Sequence, residues 1–392
     1  MTDFYSLNSE VNAMYLKQIT QYLRAPVQIK PNHSLTELPK LERRGFLKAT
    51  GAIASVASFA GVKASNAIKA TAGTLGLGAV LGRAENAFSA YSGAEPNAPG
   101  KELSARFSYD PSAQYPVKVF EVPYRTNAAG RQLMARIYRP VLPDSMSSYQ
   151  TPTVLDLHGG AWNAKNRTAE EPMDRALAAS GILVVAIDLT LAGEAPYPAN
   201  VQDANYGVRW LKKNAPLWGG SPKRVGVYGS SSGGHVAELL GMRPHDPRYN
   251  AYPLEGDREG LDARIAYIAT RSPISNPFAR YQNALNLKRE KMMLNHTTYF
   301  KPWESIHESN PQEILERGEP VDLTPLLVMQ GSLDDNVLPS IQERFINTYK
   351  SVGGTCEYRV FPDSEHEWVA KEGEQTNLAR ECVKAFIAKQ LT

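Results

Sequence analysis

The stretch Val225-Gly226-Val227-Tyr228-Gly229-Ser230-Ser231-Ser232-Gly233-Gly234-His235 decides how this chain is read. An apolar run enters a serine that has glycine two residues to either side, and a helix-forming segment follows. The implied order is strand, tight turn, helix. In such a nucleophile elbow the serine is held in a strained backbone conformation, so the flanking positions must be small. Gly229 and Gly233 fill them around Ser231, whereas Ser230 and Ser232 stand off the spacing. The pattern G-x-S-x-G also arises by chance in serine-rich loops, so its meaning rests on the rest of the chain. A serine that attacks a carbonyl needs a base, a group that orients the base, and donors for the developing oxyanion.

Each has a candidate. Upstream, the apolar run Thr153 to Leu157 ends in His158-Gly159-Gly160-Ala161-Trp162. Glycines there let main-chain N–H groups face a negative oxygen, so Gly159 and Gly160, with the N–H of Ser232, are the candidate oxyanion hole. A plain strand-ending turn is the alternative, and His158 reads as a brace for the loop. Downstream, Leu326 to Gln330 leads into Gly331-Ser332-Leu333-Asp334-Asp335-Asn336-Val337, which offers Asp334 or Asp335 as the acid or a simple Asx turn. A strand-like run from Cys356 to Phe361 precedes Pro362-Asp363-Ser364-Glu365-His366, which puts His366 on the loop beyond the last strand. The other histidines (His33, His158, His235, His245, His296 and His307) do not occupy that place and read as solvated or packed. Ser231, Asp334 and His366 follow one another in the order expected of an α/β-hydrolase fold, unlike the other well-known serine triads.

The texture of the chain agrees. Val117 to Tyr124 and Gln132 to Pro140 alternate across Asn127-Ala128-Ala129-Gly130 as an antiparallel hairpin. Short, nearly continuous apolar runs follow at Thr153 to Leu157, Ile182 to Ile187, Arg224 to Tyr228, Ile265 to Ala269 and Leu326 to Gln330, as strands buried on both faces do. Val201, Ala204, Val208 and Leu211 fall at helical spacing between two of them, with Lys212 and Lys213 on the outer side. The expectation is one mostly parallel, doubly wound α/β domain over residues 113–392, with ligands at the carboxyl ends of its strands. Residues 276–318 break the rhythm, mixing Met292, Met293, Tyr299, Phe300 and Trp303 with Lys288, Arg289 and Lys291. An insertion of this length reads as a lid over the site, with ordinary core packing of its aromatics as the alternative. Trp162 and Trp303 are the candidate substrate-pocket residues. Residues 73–112, rich in Gly, Ala, Ser and Pro, read as a linker or N-terminal wrap.

With 392 residues, 42% hydrophobic and 21% charged, the chain has the composition of a globular protein. Its net charge of +3 is unevenly placed: residues 1–70 hold 9 of the 43 Lys and Arg but 4 of the 40 Asp and Glu, leaving 34 basic against 36 acidic in the rest. A body with that balance has no nucleic-acid footprint. The excess sits around Arg43-Arg44-Gly45-Phe46-Leu47-Lys48 and the apolar run of residues 49–62, which resembles a twin-arginine export signal within a leader of residues 1–72. That resemblance implies a bacterial export machinery as partner and a periplasmic or secreted protein, with no stable membrane span after processing. The stretch ahead of the arginines is longer than such signals usually carry, and the alternative to export is that Leu41 to Val62 is simply an N-terminal helix. The two cysteines, Cys356 and Cys382, suit either a disulfide or buried thiols, and no Cys/His spacing suggests a metal.

From about Val117 to Leu391 the chain resembles bacterial α/β-hydrolase carboxylesterases of the hormone-sensitive-lipase-like, acetyl-esterase and feruloyl-esterase-like groups. The resemblance is carried by His158 to Trp162, Leu191-Ala192-Gly193-Glu194-Ala195-Pro196-Tyr197-Pro198, Gly229 to His235, Gly331 to Val337 and His366. It implies the α/β-hydrolase fold, Ser231 as nucleophile, His366 as base and no cofactor. It favours Asp334 over Asp335, because relatives place the acid three residues after this glycine. Ala161 replaces a third glycine found in many lipolytic members, which brings the loop closer to the His-Gly-Gly-x-Trp of kynurenine formamidases. Ser230-Ser231-Ser232 stands where those members often have Asp-Ser-Ala. Hydrolysis of short-chain or aromatic small-molecule esters is therefore expected, an amide hydrolase is the second reading, and a non-catalytic binding protein is the third.

Overall fold

The computed structural model describes Arg106–Phe107 and residues 109–258 and 260–391; the leader and most of the linker read from the sequence lie outside the described residues. Nine strands among these residues form one sheet: β1 (Arg106–Phe107), β2 (Val117–Thr126), β3 (Gln132–Pro140), β4 (Tyr149–Leu157), β5 (Leu183–Ile187), β6 (Gly220–Ser230), β7 (Ile268–Arg271), β8 (Leu326–Gly331) and β9 (Cys356–Phe361). Their order is β2-β3-β5-β4-β6-β7-β8-β9. The β2–β3 hairpin and the β3–β5 pair are antiparallel, and every pair from β5 to β9 is parallel. β1 pairs in parallel with Tyr149 and Gln150 of β4. Arg106–Phe107, near the end of the expected linker, thus belong to the sheet.

The alternating directions of side chains along each strand divide the core in two. Val154, Val184, Ala186 and Tyr228 meet α1 (Glu171–Ala179) through Met173, Leu177 and Ala178, and α9 (Glu374–Leu391) through Ala379, Val383, Phe386 and Ile387. Their strand neighbours Leu155, Leu157, Val185, Ile187 and Val227 face the opposite way. There they meet α2 (Ala199–Asn214), α3 (Ser232–Met242) and α8 (Pro339–Ser351). α2 buries Val201, Ala204, Val208 and Leu211, while Lys212 reaches outward to Asp262 at 2.7 Å. This two-faced burial is why the strand sequences read as unbroken apolar runs.

β7 starts three residues later than the apolar pattern suggested and extends to Arg271. Hydrogen bonds to β6 already begin at Ala266, whose N–H reaches Val225 O at 2.9 Å, but the paired register runs from Ile268. The charged Arg271 belongs to the strand because it is buried against a carboxylate, which an apolar pattern does not reveal.

β5 lies on one side of β4 and β6 on the other, so the strand order reverses beside β4. The crevice at the carboxyl ends of such strands is where an α/β sheet offers a site. The insertion after β7 forms α4 (Pro277–Asn286), α5 (Glu290–Tyr299), α6 (Ser305–Glu308) and α7 (Pro311–Glu316). α4 and α7 each begin with an asparagine whose side chain accepts a main-chain N–H, Asn276 from Ala279 and Asn310 from Glu313, followed by proline in the first turn. No helix among the described residues is long and apolar enough to cross a membrane. Both cysteines are free thiols.

Candidate active site

Ser231 stands between β6 and α3 with φ 52° and ψ −114°, a conformation L-residues rarely adopt. Three main-chain bonds hold it there: its N–H donates to Arg271 O at 2.9 Å, and its carbonyl accepts from His235 N and Ile274 N. The small flanking residues are obligatory. A Cβ on Gly233 would sit 1.9 Å from Leu157 O, so the elbow helix and β4 approach each other backbone to backbone.

The structure brings Ser231, His366 and Asp334 into one line. With its Nδ1–H donating to Asp334 Oδ2 at 2.8 Å, His366 accepts the Ser231 hydroxyl at Nε2, 2.9 Å away. The Asp334 carboxylate also accepts from Gln330 Nε2 and from the main-chain N–H groups of Asn336 and Val337. Burial would raise its pKa, but the hydrogen bond and charge of His366, with the Val337 N–H, hold it below the ordinary aspartate value. Asp335 instead points outward and pairs with Arg289 at 2.5 Å. Burial lowers the His366 pKa, and the charges of Arg271 and Arg280 add to this against the opposing pull of Asp334. A neutral imidazole anchored on a carboxylate and touching a serine hydroxyl can accept that hydroxyl's proton.

On the far side of Ser231, Gly160 takes φ 106°, and a Cβ there would collide with Ala164 O at 2.1 Å. The N–H groups of Gly159, Gly160 and Ser232 meet no acceptor among the described residues. His158 steadies this loop, donating from Nδ1 to Gly159 O at 2.7 Å and accepting from Leu189 N at Nε2. Trp162 N–H donates to Ser232 Oγ at 3.1 Å, tying the loop to the elbow. The segment Leu191 to Pro198 braces the same loop: Ala192 N donates to Trp162 O, Tyr197 N to Tyr299 O, and Glu194 is gripped by Arg131.

The expectation for Trp162 needs correction. Only 3% exposed, it stacks on Tyr299 at 4.7 Å, meets His296 and Phe300 edge-on, and donates from Nε1 to His235 Nδ1 at 3.2 Å. Its surface is spent on an aromatic core rather than on a ligand. Tyr299 and Phe300 of the insertion are core residues as well, while Trp303 is half-buried against Tyr281.

Sequence reasoning missed a buried group beneath the line. Glu170 accepts from Ser230 Oγ at 2.6 Å and from Arg271 Nη2 at 3.2 Å, and Arg271 also donates to the main-chain oxygen of His366. Ser230 beside Ser231 was the available signal, since a hydroxyl there needs a buried partner. Among the described residues no three His, Cys, Asp or Glu side chains gather as metal ligands.

Sheet order, switch point, strained serine and line of three side chains define the α/β-hydrolase fold. Within that fold the chain belongs to the BD-FAE family, whose model matches residues 137–348. It is similar to esterase LipQ of Mycobacterium tuberculosis, 24% identical over 286 residues, which are 71% of this chain and 63% of that protein. Esterase LipC of the same organism is 27% identical over 249 residues, 62% of this chain and 59% of that protein. The chain thus spans about three fifths of the length of these curated relatives. Among solved structures, esterase B from Lactobacillus rhamnosis is 18% identical with a TM-score of 0.57, covering 79% of this chain and 96% of that one.

Proposed function

We propose that this protein is a serine hydrolase that cleaves carboxylic esters through an acyl-enzyme, with Ser231 as nucleophile, His366 as base and Asp334 as the orienting acid. The observation that carries this reading is the unbroken line Asp334–His366–Ser231, with Ser231 held at positive φ beside unengaged N–H donors. Curated relatives named as esterases and a carboxylesterase support it.

In the reaction His366 Nε2 removes the Ser231 proton as Oγ attacks the ester carbonyl carbon. The carbonyl oxygen gains the charge and is met by the N–H groups of Gly159, Gly160 and Ser232, a stabilisation worth about 3–4 kcal/mol per donor in related chemistry. The C–O bond to the alcohol breaks, and His366 returns the proton to the leaving oxygen. Water then attacks the acyl-Ser231 with His366 again as base, releasing the acid. Ionised Asp334 stabilises the transient imidazolium, and the residues on hand complete the cycle without a cofactor.

Short-chain or aromatic acyl groups suit the site best. Ser231 is only 6% exposed, and the insertion's Tyr299 and Phe300 pack on Trp162 of the neighbouring glycine loop. The structurally similar esterase 2 of Thermogutta terrifontis is known with propionate and with butyrate bound. The leader supports export by the twin-arginine route to the periplasm or beyond, and a reporter fused to residues 1–72, with Arg43 and Arg44 replaced by lysine as control, tests that route. Labelling by a fluorophosphonate probe and turnover of p-nitrophenyl esters of rising chain length, parent against Ser231→Ala, test the chemistry. Equal labelling of both proteins removes Ser231 as nucleophile; rates that climb steadily toward long chains reject the short-chain preference.

A further inference from the structure

Arg280, on α4 of the insertion, is bonded toward both the acid loop and the oxyanion loop. It is 2% exposed and makes no ion pair among the described residues, with Asp334 near enough to act on it by charge alone. Its donors go to neutral acceptors. Nε and Nη2 both reach Asn336 Oδ1, at 2.9 and 2.7 Å, and Nη1 reaches His296 Nε2 at 3.3 Å. A buried guanidinium without a directly paired carboxylate is costly, and burial pulls its pKa down to about 10 against the opposing charge of Asp334 nearby. Its placement therefore calls for a reason beyond the packing of the insertion.

Both sets of bonds continue to the site. Asn336, held by the guanidinium, donates its main-chain N–H to Asp334 Oδ1 at 3.0 Å, and the other oxygen of that carboxylate takes the His366 Nδ1–H. His296 is locked as the tautomer that donates from Nδ1 to Met292 O and accepts Arg280 at Nε2. Burial first, and then the Arg280 charge, push its pKa down to about 3, so it stays an acceptor at any working pH. The His296 ring lies edge-on to Trp162 at 5.3 Å, and Trp162 N–H holds Ser232 Oγ beside the candidate oxyanion donors.

We propose that Arg280 is a positioning residue through which the docked insertion sets the Asp334 carboxylate, by way of Asn336, and steadies the oxyanion loop, by way of His296 and Trp162. The proposal rests on the reading of Ser231, His366 and Asp334 as a triad. Arg289, bonded to Asp335 O at 2.9 Å, gives the acid loop a second tie to the same insertion. Arg280 touches no reacting atom; it acts through the groups it holds.

The test compares the full chain with Arg280→Met, Asn336→Ala, the double variant and Arg280→Lys. Asn336 is half-buried on a loop, so its variant is the safeguard if Arg280→Met does not fold. Two readouts are taken, steady-state ester hydrolysis and the low-field proton resonance of His366 Nδ1–H. The expectation is a kcat lowered about 10–100-fold in each single variant with KM changed less than about threefold, as misplacement by an ångström or less produces. The resonance shifts or broadens, the double variant is scarcely worse than Arg280→Met, and Arg280→Lys recovers part of kcat. A folded variant with parental kcat and an unmoved resonance overturns the proposal, as does a loss confined to KM or full additivity of the two substitutions. If the parent itself neither hydrolyses esters nor reacts with a fluorophosphonate, the esterase reading fails. The resonance then still reports whether Arg280 governs the contact between Asp334 and His366.

Discussion

The guanidinium of Arg271, at the end of β7, donates to the main-chain oxygen of His366 at 2.5 Å. The same group pairs with Glu170, which holds Ser230 Oγ, so the loop bearing the imidazole is tied to the residue preceding Ser231 through buried charges. Removing the cation leaves the Glu170 carboxylate, 5% exposed, with only the Ser230 hydroxyl as side-chain hydrogen-bond partner among the described residues. Arg271→Gln is expected to destabilise the fold by about 3–5 kcal/mol, measured by chemical denaturation, because it strands a buried charge. Adding Glu170→Gln should recover a good part of that loss, and a double variant as unstable as the sum of the singles contradicts the account.

Asp334 and Asp335 are adjacent in sequence and separate in environment, one buried against His366 and the other exposed beside Arg289. Asp334→Asn should lower kcat by about 10³–10⁴-fold, since the amide no longer enforces the imidazole tautomer. Asp335→Asn should stay within a few-fold of the parent. Single-turnover rates with an activated ester separate the two.

The pH profile follows from the state of His366. The reaction needs the neutral imidazole, and burial together with Arg271 and Arg280 lowers its pKa against the pull of Asp334. Glu367, whose own pKa is lowered chiefly by Lys165, also senses the ring. The neutral form therefore persists below the ordinary histidine value of about 6.5. kcat/KM is expected to fall on the acid side with an apparent pKa under that value, and an acid limb centred above 7 contradicts the geometry.

Trp162 serves packing rather than recognition. Trp162→Phe keeps the main-chain bond to Ser232 but strands His235 Nδ1, at an expected cost of about 1–3 kcal/mol in stability. The ranking of p-nitrophenyl esters by chain length should stay as in the parent, and a reordered ranking returns Trp162 to the substrate pocket.

Between the sheet and α1, Asp156 and Asp174 are fully buried, and no carboxylate oxygen of either finds a hydrogen-bond partner among the described residues. Burial raises both pKa values, with Glu170 adding to Asp156 and Asp156 to Asp174. A carboxyl that holds its proton more tightly when folded contributes stability below the ordinary value of about 3.9, and that contribution is lost as pH rises through the folded value. Asp174→Asn should thus lose less melting temperature than the parent between pH 5 and pH 9, as thermal scans at several pH values would show.

The sheet was largely legible because its strands are buried on both faces and bounded by turn residues. The limits of β7 were not, since Thr270 and Arg271 are polar residues that tertiary partners bury. Ser231 and His366 were legible because local spacing places each of them just past a strand, whereas spacing left Asp334 and Asp335 both open and the resemblance to related hydrolases favoured Asp334. Two of the four helices of the insertion, α4 and α7, could have been read from Asn276-Pro277 and Asn310-Pro311, each a cap followed by a helix-starting proline. Arg280, Glu170 and Arg271 had no local signature. Their partners lie between 16 and 101 residues away in the chain, a distance over which spacing carries no information.

The insertion between β7 and β8 looks like a cassette that loop exchange could replace without disturbing the strands. Its wiring to Asn336 makes that exchange unequal. A transplanted segment with a different α4 would change the insertion and at the same time withdraw a cation from beneath the acid loop. Chimaeras at this junction should therefore carry a long basic side chain at the position of Arg280 if changes in selectivity are to be told apart from a slackened acid.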